Sequence, residues 1–335
     1  MRIHESLPLA LSFDDVLMVP KYSTVRSRSS VMTTTKLGNL FLSNPFIAAN
    51  MDTVCETEMS QAMNKAGGLG IVHRNLPIEQ RIQQCEDHQC GIAFGVNEDY
   101  MSLVSEATDK GISVLCLDIA HGNSFHSIGV TNEVAKYISD NNLDTTLIAG
   151  NVATADGFKR LSDAGANVVK VGIGGGGACS TRTTTGFGVP QFSAILSCVA
   201  LKSLYPNVSL ISDGGIRTPG DACKAIGAGA DAVMMGTVLA GATEAPGETV
   251  EKDGVAYKTY RGMASTEAGS QYPEGVSGWV PSTGPVSDTI DAFNKGLKSA
   301  MSYSGSENIT SYRRNVEFLQ ITQAGAIESS THAFI

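Results

Sequence analysis

Residues 209–237 open with Ser209-Leu210-Ile211-Ser212-Asp213-Gly214-Gly215, continue through Pro219-Gly220-Asp221 into helical spacing up to Ala228, and end on Ala232-Val233-Met234-Met235-Gly236-Thr237. Two short apolar runs that stop at glycine bracket one stretch of helical spacing. That is the signature of a strand, a helix and the next parallel strand. Similar runs lie at Pro45–Asn50, Gly68–His73, Gly91–Val96, Ser113–Asp118, Thr146–Asn151 and Val168–Gly172. They are near-continuously apolar rather than alternating, as strands covered on both faces are. Helical spacing fills Thr57–Ala66, Asp99–Lys110, Asp156–Ala164 and Gly220–Ala228. Most strands recur at about 22 residues, enough for one βα unit. Eight such units fit a closed α/β TIM (β/α)8 barrel better than an open sheet. The reading is a single domain over residues 1–335, with a mobile flap-like segment at about 240–300 and a C-terminal extension.

Composition narrows the function. The 335 residues carry 33 acidic and 24 basic side chains, a net charge of −9, with 42% hydrophobic and 17% charged residues. That excludes a disordered chain and argues against nucleic acid as a partner, since phosphate backbones call for clustered Lys and Arg. No apolar run approaches the ~18–20 residues of a membrane span, and Met1–Ser6 lacks the apolar core of a secretory signal. Seven irregularly spaced cysteines read as cytoplasmic thiols rather than a disulfide framework.

Two intervals are longer than the rest. The one after the fourth strand holds Asp118-Ile119-Ala120-His121-Gly122-Asn123-Ser124, and the one after the sixth holds Gly174-Gly175-Gly176-Gly177-Ala178-Cys179-Ser180-Thr181-Arg182. Loops after strands lie at the C-terminal face of a barrel, where its chemistry sits, and the loops after strands seven and eight commonly hold phosphate. Asp213-Gly214-Gly215 and Gly236-Thr237 end those two strands. Without a Cβ, backbone N–H groups approach phosphate oxygens closely. A carboxylate at Asp213 would not bind that phosphate but would accept from ribose hydroxyls, so a nucleotide fits better than a sugar phosphate. Cys179 stands apart from the other cysteines because its loop amides and Arg182 would favour a nucleophilic thiolate. The glycine carbonyls of the same loop could coordinate a monovalent cation.

These residues resemble a known family. Asn50-Met51-Asp52-Thr53-Val54, the cysteine loop at 172–182, Ser212-Asp213-Gly214-Gly215 and Tyr260-Arg261-Gly262-Met263-Ala264-Ser265 are similar, in the same order, to the inosine monophosphate dehydrogenase/GMP reductase family. The resemblance implies a barrel, a homotetramer, a nicotinamide cofactor and attack of Cys179 on C2 of the purine. It places Met263 and Ala264 over the base, Asp213 at the ribose, and Gly215, Gly236, Thr237 and Tyr260 around the phosphate, with Met51, Gly214, Gly262 and Gly275 as further substrate-binding residues. Asp118, Ile119, Ala120 and Arg74 would face the cofactor. Gly174, Gly176 and Cys179 would hold a monovalent cation, potassium in kind.

Two features within the resemblance favour the reductase over the dehydrogenase. Dehydrogenases usually insert a second domain, a CBS pair, after the second strand; only Leu76–Gln89 stands there. They also hydrolyse a covalent intermediate with an Arg-Tyr pair on a flap, whereas no Arg occurs between Arg261 and Arg313. The reading is therefore NADPH-dependent reductive deamination of GMP to IMP, with Thr181 and Glu274 protonating the departing ammonia. IMP dehydrogenase is the alternative, followed by a flavin-binding barrel, which leaves Cys179 without a task, and a non-catalytic nucleotide-binding protein. Glycines at 175 and 177, where the family often has Pro and Ser, put phosphate affinity in question.

Overall fold

A computed structural model describes residues 7–86 and 88–329; the Met1–Ser6 reading lies outside them. Eight parallel strands close a barrel: β1 Phe46–Ala48, β2 Leu69–Val72, β3 Gly91–Phe94, β4 Val114–Asp118, β5 Thr146–Val152, β6 Val168–Val171, β7 Ser209–Asp213 and β8 Ala232–Met235. All eight expected runs are strands, in the expected order.

Alternation along each strand sorts side chains between two cores. Ala93, Val114, Cys116, Ile148, Val168 and Ile211 belong to one apolar cluster. Their neighbours Ile92, Phe94, Leu115, Leu117, Leu147, Val169, Val171 and Leu210 belong to a second one. Following the first set along its strands leads to Asp118, Lys170 and Asp213.

The helices start where the sequence supplies caps. Ser124 and Thr154 accept from Ser127 N and Gly157 N ahead of helices Phe125–Asp140 and Ala155–Asp163. Thr218 and Asp221 form a reciprocal capping box with Pro219 in the first turn of Pro219–Gly227. The long interval after β4 is taken up by the length of helix Phe125–Asp140. The one after β6 holds the cysteine loop, a short helix Thr181–Thr185 and helix Gln191–Val199.

The two ends of the barrel differ. An antiparallel hairpin, Thr35–Leu37 with Leu40–Leu42, covers the N-terminal end. Its Gly38 N donates to Ser209 Oγ at 3.1 Å and its Asn39 N to Thr146 Oγ1 at 3.0 Å, at the first residues of β7 and β5. The C-terminal end carries the long loops. Of segment 240–300, strands β9 Thr249–Lys252, β10 Val255–Arg261 and β11 Ser277–Pro281 form an antiparallel sheet, and Val286–Tyr303 is a helix packed on helices Thr57–Lys65 and Pro219–Gly227. Phe293 of that helix meets the fully buried Phe46 of β1 edge-on, with ring centroids 5.8 Å apart.

This contact ties the first barrel strand to helix Val286–Tyr303. Phe46→Ala should lower stability by about 3–5 kcal/mol through the cavity it leaves. Phe125→Ala, at a ring 87% exposed, should change it by under about 0.5 kcal/mol. Denaturant unfolding of both variants checks the contrast, and equal effects would contradict this packing.

Candidate active site

Every residue singled out from the sequence comes to the C-terminal mouth. Cys179, Thr181, Glu274, Met51, Asp118, Ile119, Ala120, Arg74, Gly174, Gly176, Gly262, Met263, Ala264 and Gly275 line one cleft. Gly215, Gly236 and Thr237 line a pocket that shares Met51, Asp213, Gly214 and Tyr260 with it.

The reactive end is built by backbone pairing. The loop after β6 runs antiparallel to the arm between β10 and β11, with Cys179 bridging Gly275. Ser180 N donates to Glu274 O at 2.8 Å and Val276 N to Ala178 O at 3.0 Å. A third segment crosses this pair closely. A Cβ at Gly262 would stand 2.8 Å from Ala178 O, and one at Gly275 would stand 3.1 Å from Gly262 Cα. Both glycines thus have a packing reason beyond any contact with a base. The pairing delivers Glu274 to the cysteine: Cys179 Sγ is 3.1 Å from Thr181 Oγ1, which donates to Glu274 Oε2 at 2.7 Å. Arg182 departs from expectation. Its guanidinium donates to Val189 O at 2.8 Å, and its stem packs against Gly174 and Gly188.

The cysteines divide as expected in all but one respect. Burial pushes the Cys116, Cys198 and Cys223 thiols up to about 12 and raises Cys55 further. Cys179 is half-buried. The exception is Cys85 and Cys90, which form a disulfide on either side of the turn before β3. The turn brings two cysteines five positions apart together, a pairing that irregular spacing concealed.

At the phosphate end, Thr237 Oγ1 lies 3.1 Å from Tyr260 Oη, whose phenol burial pushes upward. A Cβ at Gly177 would fall 2.5 Å from Thr237 Oγ1. The threonine hydroxyl from the end of β8 therefore occupies the space a residue-177 side chain would need. Nothing in the structure explains the glycine at 175, where a Cβ would meet only ordinary contacts.

Sequence reasoning missed a charged cluster on the floor of the cleft. Lys170 Nζ, 3% exposed, donates to Asp118 Oδ1 at 2.9 Å and to Asp213 Oδ2 at 3.0 Å. Asn151 Nδ2 donates to the same Asp213 oxygen at 2.8 Å. Burial opposes the ammonium charge, but the two carboxylates outweigh it and hold the Lys170 pKa above the usual lysine range. Burial likewise works to raise Asp118, and Lys170 with Arg74 more than reverses it. Arg74 Nε stands 3.8 Å from Asp118 Oδ2. A lysine inside the apolar run Val168–Val171 was the available signal. Arg261, also passed over, is held by Asp52, with Nε at 3.1 Å from Oδ1 and Nη2 at 2.8 Å from Oδ2. His121 is exposed. Among the described residues no three His, Cys, Asp or Glu side chains group as a metal site, and no helix is long and apolar enough to cross a membrane.

Two measurements check this geometry. Brief iodoacetamide treatment of the folded protein at roughly pH 8 should label Cys179 alone among the five free cysteines, because the raised thiols stay protonated; labelling of Cys116 or Cys223 at a similar rate would contradict it. Gly177→Ser should lower the melting temperature at an overpacking cost of about 1–3 kcal/mol, and Gly177→Ser/Thr237→Gly should recover most of it. Strict additivity of the two substitutions would contradict the shared space.

Known proteins place this mouth in context. The family model described as the IMP dehydrogenase / GMP reductase domain matches residues 10–332. Inosine-5'-monophosphate dehydrogenase of Nitrosopumilus maritimus is 31% identical, covering 96% of this chain and 98% of the relative. GMP reductase of Leishmania donovani is 30% identical, covering 98% and 97%. Those alignments run over 470 and 482 positions, longer than the 335 residues here. Relatives of both names thus carry a segment this chain lacks, so its absence does not separate reductase from dehydrogenase. A crystal structure titled as a cysteine-to-alanine variant of GMP reductase from Trypanosoma brucei in complex with guanosine 5'-monophosphate superposes with a TM-score of 0.94 at 30% identity, over 98% of this chain and 99% of that one. The family model and these relatives match over nearly the whole length, and the chain belongs to the IMP dehydrogenase / GMP reductase family.

Proposed function

We propose that this protein is a GMP reductase that converts GMP and NADPH to IMP, ammonia and NADP. The observation that carries the reading is the line from Cys179 through Thr181 to Glu274, on a covering arm with no free guanidinium. A dehydrogenase of this family needs water activated beside its covalent intermediate. Here the arginine of the arm, Arg261, is engaged by Asp52, and Glu274 follows Met263 by only eleven positions. What the site offers instead is a hydrogen-bonded line from the Cys179 sulfur through the Thr181 hydroxyl to the Glu274 carboxylate.

In the proposed reaction the Cys179 thiolate adds to C2 of the guanine. A proton passes from Glu274 through the Thr181 hydroxyl to the 2-amino group, which leaves as ammonia with the electron pair of its C–N bond, so C2 remains joined to sulfur as a thioimidate. A reduced nicotinamide held against Asp118, Ile119, Ala120 and Arg74 would supply the hydride that C2 takes up. Expulsion of the thiolate then yields IMP and the free cysteine. Met263 and Ala264 cover the base, Asp213 accepts from the ribose, and Gly215, Gly236, Thr237 and Tyr260 enclose the phosphate. The cofactor would lie against Asp118, Ile119, Ala120 and Arg74, which share the cleft with Cys179. A potassium ion would sit among the carbonyls of Gly174, Gly176 and Cys179; Gly176 O accepts from Cys179 N at 3.1 Å and retains a second lone pair. Further parts of this reading are a cytoplasmic homotetramer, one domain per chain, and an arm that opens for exchange of ligands.

A paired assay decides the reaction. GMP with NADPH should consume the reduced cofactor and release IMP, while IMP with NAD should not form xanthosine monophosphate; the reverse pattern would overturn the assignment. Cys179→Ala should abolish turnover, and Glu274→Gln should lower kcat by about 10²–10⁴-fold, the range of one general acid.

A further inference from the structure

One ammonium group, Lys170 Nζ, bonds two carboxylates of the mouth, and a glycine stands between the strands that carry them. Lys170 on β6 is in register with Ile211 of β7 on one side and Gly150 of β5 on the other, and Gly150 is in turn the partner of Asp118 on β4. A Cβ at residue 150 would stand 2.6 Å from Lys170 Cβ. Any side chain at 150 would thus collide with the root of the lysine, whose Nζ bonds Asp118 and Asp213. The second wall donor, Asn151, converges on the same Asp213 oxygen as Lys170. Oδ2 is thereby held to the wall by two donors. Among the described residues no side chain or backbone donor holds Oδ1, which is left to the cleft.

We propose that Lys170 is a positioning residue for ribonucleotide recognition: by pinning Oδ2 it orients Asp213 so that Oδ1 accepts from the ribose hydroxyls. The inference rests on the nucleotide reading above and adds to it the basis on which ribose is told from deoxyribose. A lysine that only stabilised the barrel would affect all nucleotides alike. One that orients Asp213 affects those with the hydroxyl selectively.

The test is calorimetric binding of GMP, 2'-deoxy-GMP and 3'-deoxy-GMP without cofactor, so that loss of contacts near Asp118 does not enter. The wild type should favour GMP over at least one deoxy analogue by roughly tenfold or more, the worth of a hydrogen bond to a charged group. Lys170→Met leaves two carboxylates facing each other and is at risk of misfolding. Lys170→Met/Asp118→Asn removes one of those charges and is the decisive variant, with its melting curve as a check on folding. Its preference for GMP should fall to within about threefold, mostly through weaker GMP binding, and Asp213→Asn should behave similarly. If the double variant folds and keeps the wild-type preference, or weakens all three ligands equally, the positioning role is overturned. A wild type that binds GMP without discrimination also overturns it, and leaves the reductase reading intact. A wild type that binds no nucleotide overturns both.

Discussion

The site depends on three backbone segments passing closer to one another than side chains allow. The cysteine loop, the turn after β10 and the return toward β11 meet at Ala178, Gly262 and Gly275, where the separations leave no room for a Cβ. Because the loop belongs to the barrel and the arm does not, this crossing registers one against the other. Glu274 owes its place beside Thr181 to the two backbone hydrogen bonds that flank it. Its side chain is carried on a cover yet aligned with Thr181, a residue of the barrel's own loop.

The wall contributes differently. Period-two alternation brings Asp118, Lys170 and Asp213 to the interior face of neighbouring strands, as it brings Val114, Cys116, Val168 and Ile211 there one layer below. At that lower layer the interior is a dry core. At the mouth the same parity exposes charge, and two carboxylates can stand so close only because a lysine lies between them. A buried cluster of this kind is weak evidence for stability, since apolar side chains could fill the space. Its chemical value lies in having one carboxylate oxygen fixed and the other available.

Much of this was legible in the sequence, for specific reasons. Runs buried on both faces are continuous in apolar residues, and glycine or aspartate at their ends marks where each βα loop begins, so the barrel strands could be placed before any contact was known. Cys179 was conspicuous because its glycine-rich loop contrasts with the apolar settings of Cys116, Cys198 and Cys223. Long-range partnerships were not legible. Arg182 was assigned to the cysteine because it is three residues away, but a short helix turns it toward Val189. Cys85 and Cys90 were counted as separate thiols because spacing carries no information about a turn. Lys170 lies two strands and 52 residues beyond Asp118, and only the register of the strands shows that Gly150 stands between them. Nor does spacing reveal that Thr237 Oγ1 stands where a side chain at 177 would begin.

Choosing between two activities on one scaffold comes down to what happens to a sulfur–carbon bond after it forms. Both begin with the same cysteine, and identity of 31% to a dehydrogenase and 30% to a reductase does not separate them. The outcome is set by whether the space beside the adduct holds a group able to take a proton from water or one able to give a proton to a leaving amine. A guanidinium on the cover would serve the first purpose, but Arg261 is bound through two of its nitrogens to Asp52, and releasing it would leave a carboxylate only 7% exposed without its partner. That is a costly exchange. The Thr181–Glu274 pair needs no such release, because the Thr181 hydroxyl is already hydrogen-bonded both to the Cys179 sulfur and to the Glu274 carboxylate. For the proposed reading, the physical argument for reduction is thus one of availability: Thr181 and Glu274 are hydrogen-bonded beside Cys179, and Arg261 is committed to Asp52.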